Sequence, residues 1–352
     1  MAKIPVAILA ATGAVGQRFV QLLADHPWFE VAAVTGSERT VGRPYGEGVN
    51  WILPGNVPEA IAALTVQPSS PDLDVPVVFS ALPSQEAWEL EPWFAEAGYA
   101  VVTNASAFRM TADVPLLIPE VNPDHTALIP TQQKNREWSG FIVASPNCST
   151  TSIVLPMKVF QDTFGLEAAV ITTMQAISGA GYPGVPSLAI LDNVIPYISG
   201  EDEKLEMEPK KLLGTVTSGE LELATIALGA QANRVPVLDG HLASVSVQLS
   251  EPATPEEAIA ALRVWQPPAV CANLPTSPAR PLIYRAEDDR PQPRLDRDVE
   301  DGLAWTVGRV RPCGVLDLRF LAITHNTLRG AASGAILNAE LLVEQGFIER
   351  PG

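Results

Sequence analysis

The spacing of apolar residues divides the chain in two. Up to Cys148, short apolar runs that suit buried strands (Pro5 to Ala10, Glu30 to Thr35, Val77 to Ala81, Tyr99 to Thr103, Phe141 to Ala144) alternate with segments of helical spacing. In Val15 to Ala24, for example, Val15, Phe19, Leu22 and Leu23 share one face, and Ser84 to Glu96 reads as a second helix with Pro92 as a candidate break. This alternation predicts parallel βαβ units, hence an α/β, Rossmann-type, doubly wound sheet. After Cys148 the pattern changes. A helix from Thr150 to Phe164 precedes longer strands at Ala168 to Gln175, Leu221 to Ala230 and Ala243 to Leu249, which predict an α+β half with a mixed sheet. Gln266 to Asp301, rich in proline and charge, reads as a long loop or arm. A strand at Val315 to Thr324 and a final helix at Ala332 to Gln345 follow, the helix expected to pack back on the first half. The expected division is residues 1–148, completed by 330–352, against 149–329.

Composition narrows the class. The 352 residues are 47% hydrophobic, enough for two cores. Prolines (32) and glycines (25) are frequent and belong in loops and at element ends. A net charge of −17 repels phosphate backbones and anionic bilayers, so no nucleic-acid or membrane partner is expected. An anionic ligand then needs a local cluster of cations. Three cysteines give no disulfide framework, the N-terminus lacks a signal-peptide layout, and no apolar run approaches a membrane span. These features predict a reduced, cytoplasmic protein, and no metal-ligand cluster stands out.

Between the first strand and helix lies Thr12-Gly13-Ala14-Val15-Gly16. Glycines three apart let the backbone approach a pyrophosphate at a positive helix end, or simply let helix pack on strand. Ala10 stands where such a turn usually begins with glycine. The second strand runs into Ser37, Glu38, Arg39 and Arg43, and hydroxyl and guanidinium donors there favour NADP, against the carboxylate of Glu38.

In FIVASPNCSTTSIVLPMKVF a buried strand breaks at Pro146 and a helix opens at Cys148, with Ser149, Thr150 and Thr151 as candidate caps. A thiol at a helix N-terminus is expected to have a lowered pKa and to attack carbonyl groups. Cys271 and Cys313 lack that context. A thiolate beside a nicotinamide suggests aldehyde or acyl chemistry through a thiohemiacetal and a thioester. Among the four histidines, His26 and His125 read as surface residues and His325 as structural. His241 closes NRVPVLDGH with Arg234 upstream, a pair suited to proton transfer and carboxylate binding and equally compatible with a structural role.

With TGAVGQRFV, NASAFRM, DVPLLIPEVN, SPNCSTT, QAISGAGYPGVPSLAILDNVIPYI, NRVPVLDGH, RPQPRLDRD and HNTLRGAASGAILNAELL, the chain resembles the aspartate-semialdehyde dehydrogenases, in particular their archaeal and fungal-like branch, over nearly its whole length. The resemblance implies NADPH-dependent reduction of 4-phospho-L-aspartate to aspartate semialdehyde with release of phosphate, within amino-acid biosynthesis, by a homodimer or homotetramer joined through the second half. It implies Cys148 as acyl-thioester nucleophile, Asn147 in the oxyanion environment, Gln175 orienting substrate and His241 as acid/base. Arg234 would clamp the substrate carboxylate, Glu208 its amino group, and Arg109 and Lys211 the phosphate. Thr12, Gly13, Ala14, Val15, Ser37, Arg39, Thr40, Ser80, Leu82, Ser178, Gly179 and Asn338 would hold the cofactor. Ala10 departs from the family's glycine turn and bears on the pyrophosphate contact. Malonyl-CoA reductase, with a CoA thioester as substrate, is the enzyme alternative. A catalytically idle NADP-binding regulator is the remote one.

Overall fold

A computed structural model describes residues 2–351. Six parallel strands form the first sheet: β1 (Ile4–Leu9), β2 (Phe29–Thr35), β3 (Val66–Gln67), β4 (Val77–Ser80), β5 (Ala100–Thr103) and β6 (Phe141–Ala144). Their order, β3-β2-β1-β4-β5-β6, has its switch point between β1 and β4, where doubly wound sheets open a ligand crevice. Strand side chains alternate between the two faces, so each strand feeds two cores. Ile4, Val6, Ile8, Val77 and Phe79 meet the Ala14–Leu23 helix and the last helix, Ser333–Glu344. Ala7, Leu9, Val78, Val101 and Ile142 meet the Ser84–Glu96 helix in an apolar cluster that continues into the second half.

That half contains a hairpin, β8 (Thr215–Thr217) and β9 (Glu220–Glu222), and a mixed sheet. The sheet comprises β7 (Leu166–Gln175), β10 (Ala227–Arg234), β11 (His241–Leu249), β12 (Leu282–Arg285), β13 (Trp305–Pro312) and β14 (Leu318–Thr324), in the order β10-β7-β11-β14-β13-β12. Helices Cys148–Phe164, Glu201–Leu212 and Pro255–Val264 pack on it. The alternate side chains, Val170, Thr172, Gln231 and Arg319 among them, stand exposed on the other side.

The expected classes hold in both halves, and several details change. Leu221 to Ala230 is not one strand: Ala224 donates its N–H to Lys210 and turns the chain between β9 and β10. The 266–301 arm contributes β12 to the sheet edge, and its loop is pinned where Arg285 and Arg290 converge on buried Asp296. β13 is unannounced by the pattern because its ladder shifts register between Gly308 and Arg311, with Arg309 at φ 58°. The final strand begins only at Leu318. Pro92 does not split its helix. The carbonyl it deprives of a partner belongs to Trp88, which is exposed. His26 and His125 are buried, not on the surface: His26 bonds Glu340 on the last helix, and His125 bonds Asn122 and the carbonyl of Gly214.

Ala10, where glycine was expected, has φ 54°, the left-handed conformation that glycine adopts without strain. Ala10→Gly is expected to stabilise the protein by about 0.5–1 kcal/mol, a left-handed penalty of about 1–2 kcal/mol relieved less the added chain entropy of glycine. Denaturant unfolding measures it, and unchanged or lower stability contradicts it.

Candidate active site

Cys148 owes its position to the break after β6. Ser145-Pro146 ends the strand, and Asn147 caps the Cys148–Phe164 helix by accepting from Ser149 N–H (2.8 Å) and Thr150 N–H (3.4 Å). The cap is therefore Asn147, not Ser149, Thr150 or Thr151, whose position inside the first turn leaves the capping geometry to the residue before them. Cys148, the first helical residue, is half-buried and opens onto a cleft of about 840 Å³ between the two halves. Behind it a Cβ on Gly330 would lie 2.7 Å from the Cys148 Cβ, so only glycine fits there.

The first half supplies the cleft with Ala14, Val15, Arg18, Asn104 and Arg109. No side chain caps the Ala14–Leu23 helix, so its first-turn N–H groups remain free donors at a positive helix end. A Cβ on Gly13 would meet only the Ala10 carbonyl at 3.5 Å, whereas one on Gly16 would drive into Ala10 and Ala11 at 2.3–2.8 Å. Gly13 thus keeps the approach open, and Gly16 serves helix–strand packing. Thr12 and Thr40 close around Gly36 at the end of β2, and Ser37 and Arg39 stand exposed beside them. Arg39 makes no ion pair among the described residues. This arrangement suits a dinucleotide diphosphate at the helix end and an anionic ribose substituent at the β2 end. Arg43, also exposed, donates one of its hydrogens to the Glu47 carbonyl.

The opposite wall is built on one residue after β7. Ala176 donates its N–H to His241 Nδ1 (3.1 Å) and accepts from Arg234 Nη1 (2.7 Å). Gly179 covers both: a Cβ there would lie 2.7 Å from Arg234 Nη1 and 2.9 Å from His241 Nε2. Because Nδ1 accepts, the neutral imidazole carries its proton on Nε2, which is buried with no protein partner. Gln175 donates to Glu201 Oε2 (3.1 Å), and Ser178 accepts from Asn326.

The Glu201–Leu212 helix serves the thiol end. Glu201 accepts from Asn147 Nδ2 (2.9 Å) and pairs with Lys204 (2.8 Å). Two turns on, Glu208 accepts from Asn147 N–H (2.6 Å) and Arg109 Nη1 (3.0 Å). Lys211 Nζ donates to the carbonyls of Arg109, Thr111 and Val114, each at 2.7 Å.

Burial pushes the Cys148 thiol up to about 12, and Glu201 adds to the rise; Arg109, Arg234 and Lys204 oppose it without overcoming it. The low thiol pKa expected from the helix end is therefore not found in the free protein. Burial lowers His241 to about 3, aided by Arg234 and His325, in keeping with an Nδ1 already occupied by an amide. Burial alone would raise the Glu201 carboxyl, but Lys204, Gln175 and Arg109 together hold it below its usual range.

Of the residues expected at the site, Ala14, Val15, Arg109, Asn147, Cys148, Ser178 and Gly179 line the cleft. Gln175, Arg234 and His241 lie just behind its wall. Thr12, Gly13, Ser37, Arg39 and Thr40 gather around the dinucleotide turn and the β2 end, and Ser80, which ends β4, and Leu82 just beyond it are buried. Asn147 spends its N–H on Glu208 and one amide hydrogen on Glu201, which leaves the second amide hydrogen for an oxyanion. Two expectations change. Glu208 and Lys211 do not face the cleft, because their polar atoms are occupied by Asn147, Arg109 and backbone carbonyls. Asn338 is buried away from the cleft, its Nδ2 bonded to the Leu117 carbonyl and Ser145 and its Oδ1 without a partner.

Glu201 and Lys204 were missed, although they repeat the Glu-x-x-Lys spacing of Glu208 and Lys211 seven residues earlier on the same helix. Asn104 was also missed: it lines the cleft, and its Nδ2 has no partner.

A dinucleotide-type sheet with a cleft at its switch point, closed by a second domain, is the framework of an oxidoreductase. Residues 5–129 match the family model "Semialdehyde dehydrogenase, NAD binding domain", and residues 158–329 match "Semialdehyde dehydrogenase, dimerisation domain". The chain belongs to the aspartate-semialdehyde dehydrogenases. The enzyme of that name from Archaeoglobus fulgidus is 52% identical over 97% of this chain and 99% of its own. The solved aspartate semialdehyde dehydrogenase with NADP from Candida albicans is 39% identical, with a TM-score of 0.91 over 98% of this chain and 100% of that one. A malonyl CoA reductase (NADP) from Metallosphaera sedula is 39% identical over 98% of each chain.

Gly330→Ala is expected to shift Cys148 and lower turnover and thiol alkylation by about tenfold or more. Full retention of both contradicts the contact. With His241 neutral down to about pH 3, kcat/KM is expected to show no histidine inflection between about pH 5 and 8. An inflection near pH 6.5 that His241→Asn removes contradicts this assignment.

Proposed function

We propose that the chain catalyses the reversible, NADPH-dependent reductive dephosphorylation of 4-phospho-L-aspartate to L-aspartate 4-semialdehyde. The observation that carries it is the half-buried thiol of Cys148 at a helix N-terminus, set beside the cations Arg109, Arg234 and Lys204 and the carboxylate of Glu201. In this reading Cys148 sulfur attacks the acyl carbon as its proton passes to the departing phosphate, the carbon–oxygen bond to phosphate breaks, and an acyl thioester remains on the enzyme. Arg109 and Lys204 bind the departing phosphate, Arg234 the substrate α-carboxylate, and Glu201, in place of Glu208, its ammonium group. NADPH, when bound, supplies the hydride. As charge builds on the carbonyl oxygen, His241 offers its Nε2–H, the free donor behind Gly179. Cleavage of the carbon–sulfur bond then releases the aldehyde and restores the thiolate.

For the cofactor, the free N–H groups after Gly13 suit the diphosphate, and Ser37 and Arg39 suit a 2′-phosphate, which favours NADP over NAD. The assembly proposed is a homodimer or homotetramer, built on the exposed face of the second sheet and supported by the match to a dimerisation domain. The residues that bind dinucleotide are assigned to 1–148 with 330–352, and those that bind substrate mainly to 149–329. The free thiols favour a cytoplasmic setting. No helix among the described residues is long and apolar enough to cross a membrane. The placing of the reaction in the biosynthesis of lysine, threonine, methionine and isoleucine belongs to this same reading.

A second reading, malonyl-CoA reduction, is favoured by the Metallosphaera relative. Glu201 and Lys204 beside the thiol argue for the aspartyl substrate, which has an ammonium and a phosphate for them to bind. The expected result is NADPH formation from aspartate semialdehyde that depends on inorganic phosphate, and that falls by about 10³-fold or more in Cys148→Ser while NADPH still binds. Phosphate-independent inactivity together with malonyl-CoA-dependent NADPH oxidation selects the second reading.

A further inference from the structure

Arg109 enters the cleft from a loop without regular structure, Asn104 to Val114, between β5 and β6. Such a segment has many conformations, yet a guanidinium that meets a phosphate must be held to within a fraction of an ångström. The carbonyls of Arg109, Thr111 and Val114 turn inward and meet at a single atom, Lys211 Nζ, which lies 2.7 Å from each. Lys211 is 1% exposed, and each of its three ammonium hydrogens has a carbonyl partner. Three oxygens facing one buried point would repel one another without a donor there. One turn earlier on the same helix, Glu208 accepts from Arg109 Nη1, and the other Arg109 terminal nitrogen donates to the Asn104 carbonyl at 2.8 Å. Both ends of the arginine are therefore fixed, the backbone by Lys211 and the fork by Glu208. What remains free is the second hydrogen of each Arg109 terminal nitrogen and the buried Nε–H, and the Asn104 amide nitrogen is likewise without a partner.

We propose that Lys211, together with Glu208, is a positioning residue for Arg109: it clamps the Asn104 to Val114 loop so that Arg109 presents its unpaired donors to the phosphate group of the substrate. The inference rests on the phosphate-binding reading of Arg109. It assigns to Lys211 a role through another side chain, which accounts for a lysine buried where no ligand reaches it.

The test is a double-mutant cycle in the full-length enzyme, read as KM for inorganic phosphate in the oxidative direction, with KM for NADP as control. Lys211→Met is expected to raise the phosphate KM by about tenfold while the NADP KM stays within about twofold, and to add less than about twofold further when Arg109 is already alanine. Where Lys211→Met does not fold, Glu208→Gln, which sets a second donor against Asn147 or Arg109, is expected to give the same non-additive pattern. A purely structural lysine would lower the melting temperature and leave the phosphate KM where it was. An effect of Lys211→Met that persists in full in the Arg109→Ala background, or its absence where Arg109→Ala alone raises the phosphate KM, overturns the proposal. An unaltered phosphate KM in Arg109→Ala itself removes the reading of Arg109 on which the proposal stands.

Discussion

The cap on the Cys148–Phe164 helix holds the site together. Asn147 satisfies the first helical amides with its side-chain oxygen and directs one donor to each of two carboxylates of a second helix, Glu201 and Glu208. One residue thereby sets the direction of the thiol, the level of the Glu201–Leu212 helix and, through Glu208, the reach of Arg109 from the first half. At this density the loss of any one partner leaves a desolvated donor or acceptor, at a cost of about 1–3 kcal/mol. The arrangement is correspondingly rigid.

The electrostatics follow from the same packing. A chain with net charge −17 gathers Arg109, Lys204 and Arg234 around one sulfur, yet the thiol remains protonated at rest because burial and Glu201 outweigh them. Those three cations have carboxylate or carbonyl partners inside the protein, so part of their attraction is spent away from the thiol. Across the cleft, Ala176 fixes both the proton position on His241 and the direction of Arg234 through one peptide unit, so two reactive side chains share a single backbone reference.

Local chemistry was the legible part of the sequence. The alternation of strands and helices, the glycine turn and the break before Cys148 depend on neighbours a few residues apart, and the structure keeps them within a residue or two. Levels along a helix were not legible. Glu201 with Lys204 and Glu208 with Lys211 have the same spacing, seven residues or about two turns apart, so both pairs share a face. Which pair stands beside the sulfur depends on how the helix docks against Asn147, a tertiary fact without a local signature. β13 escaped notice for a related reason: the bulge at Arg309 breaks the alternation that marks a strand. His26 and His125 looked like surface residues because polarity predicts exposure only until a buried partner, Glu340 or Asn122, is known.

The last helix closes the first sheet. Ile336, Leu337, Leu341 and Leu342 share a core with Ile4, Val6 and Val77, and Glu340 bonds His26 across more than 300 residues of chain. On a ribosome, then, the part made first is the part finished last. Half of one face of its sheet has no cover until the Ser333–Glu344 helix has been made, and a chain stopped anywhere before residue 333 carries an unsealed apolar surface. Premature termination thus yields a sticky, protease-sensitive product, not a working dinucleotide module.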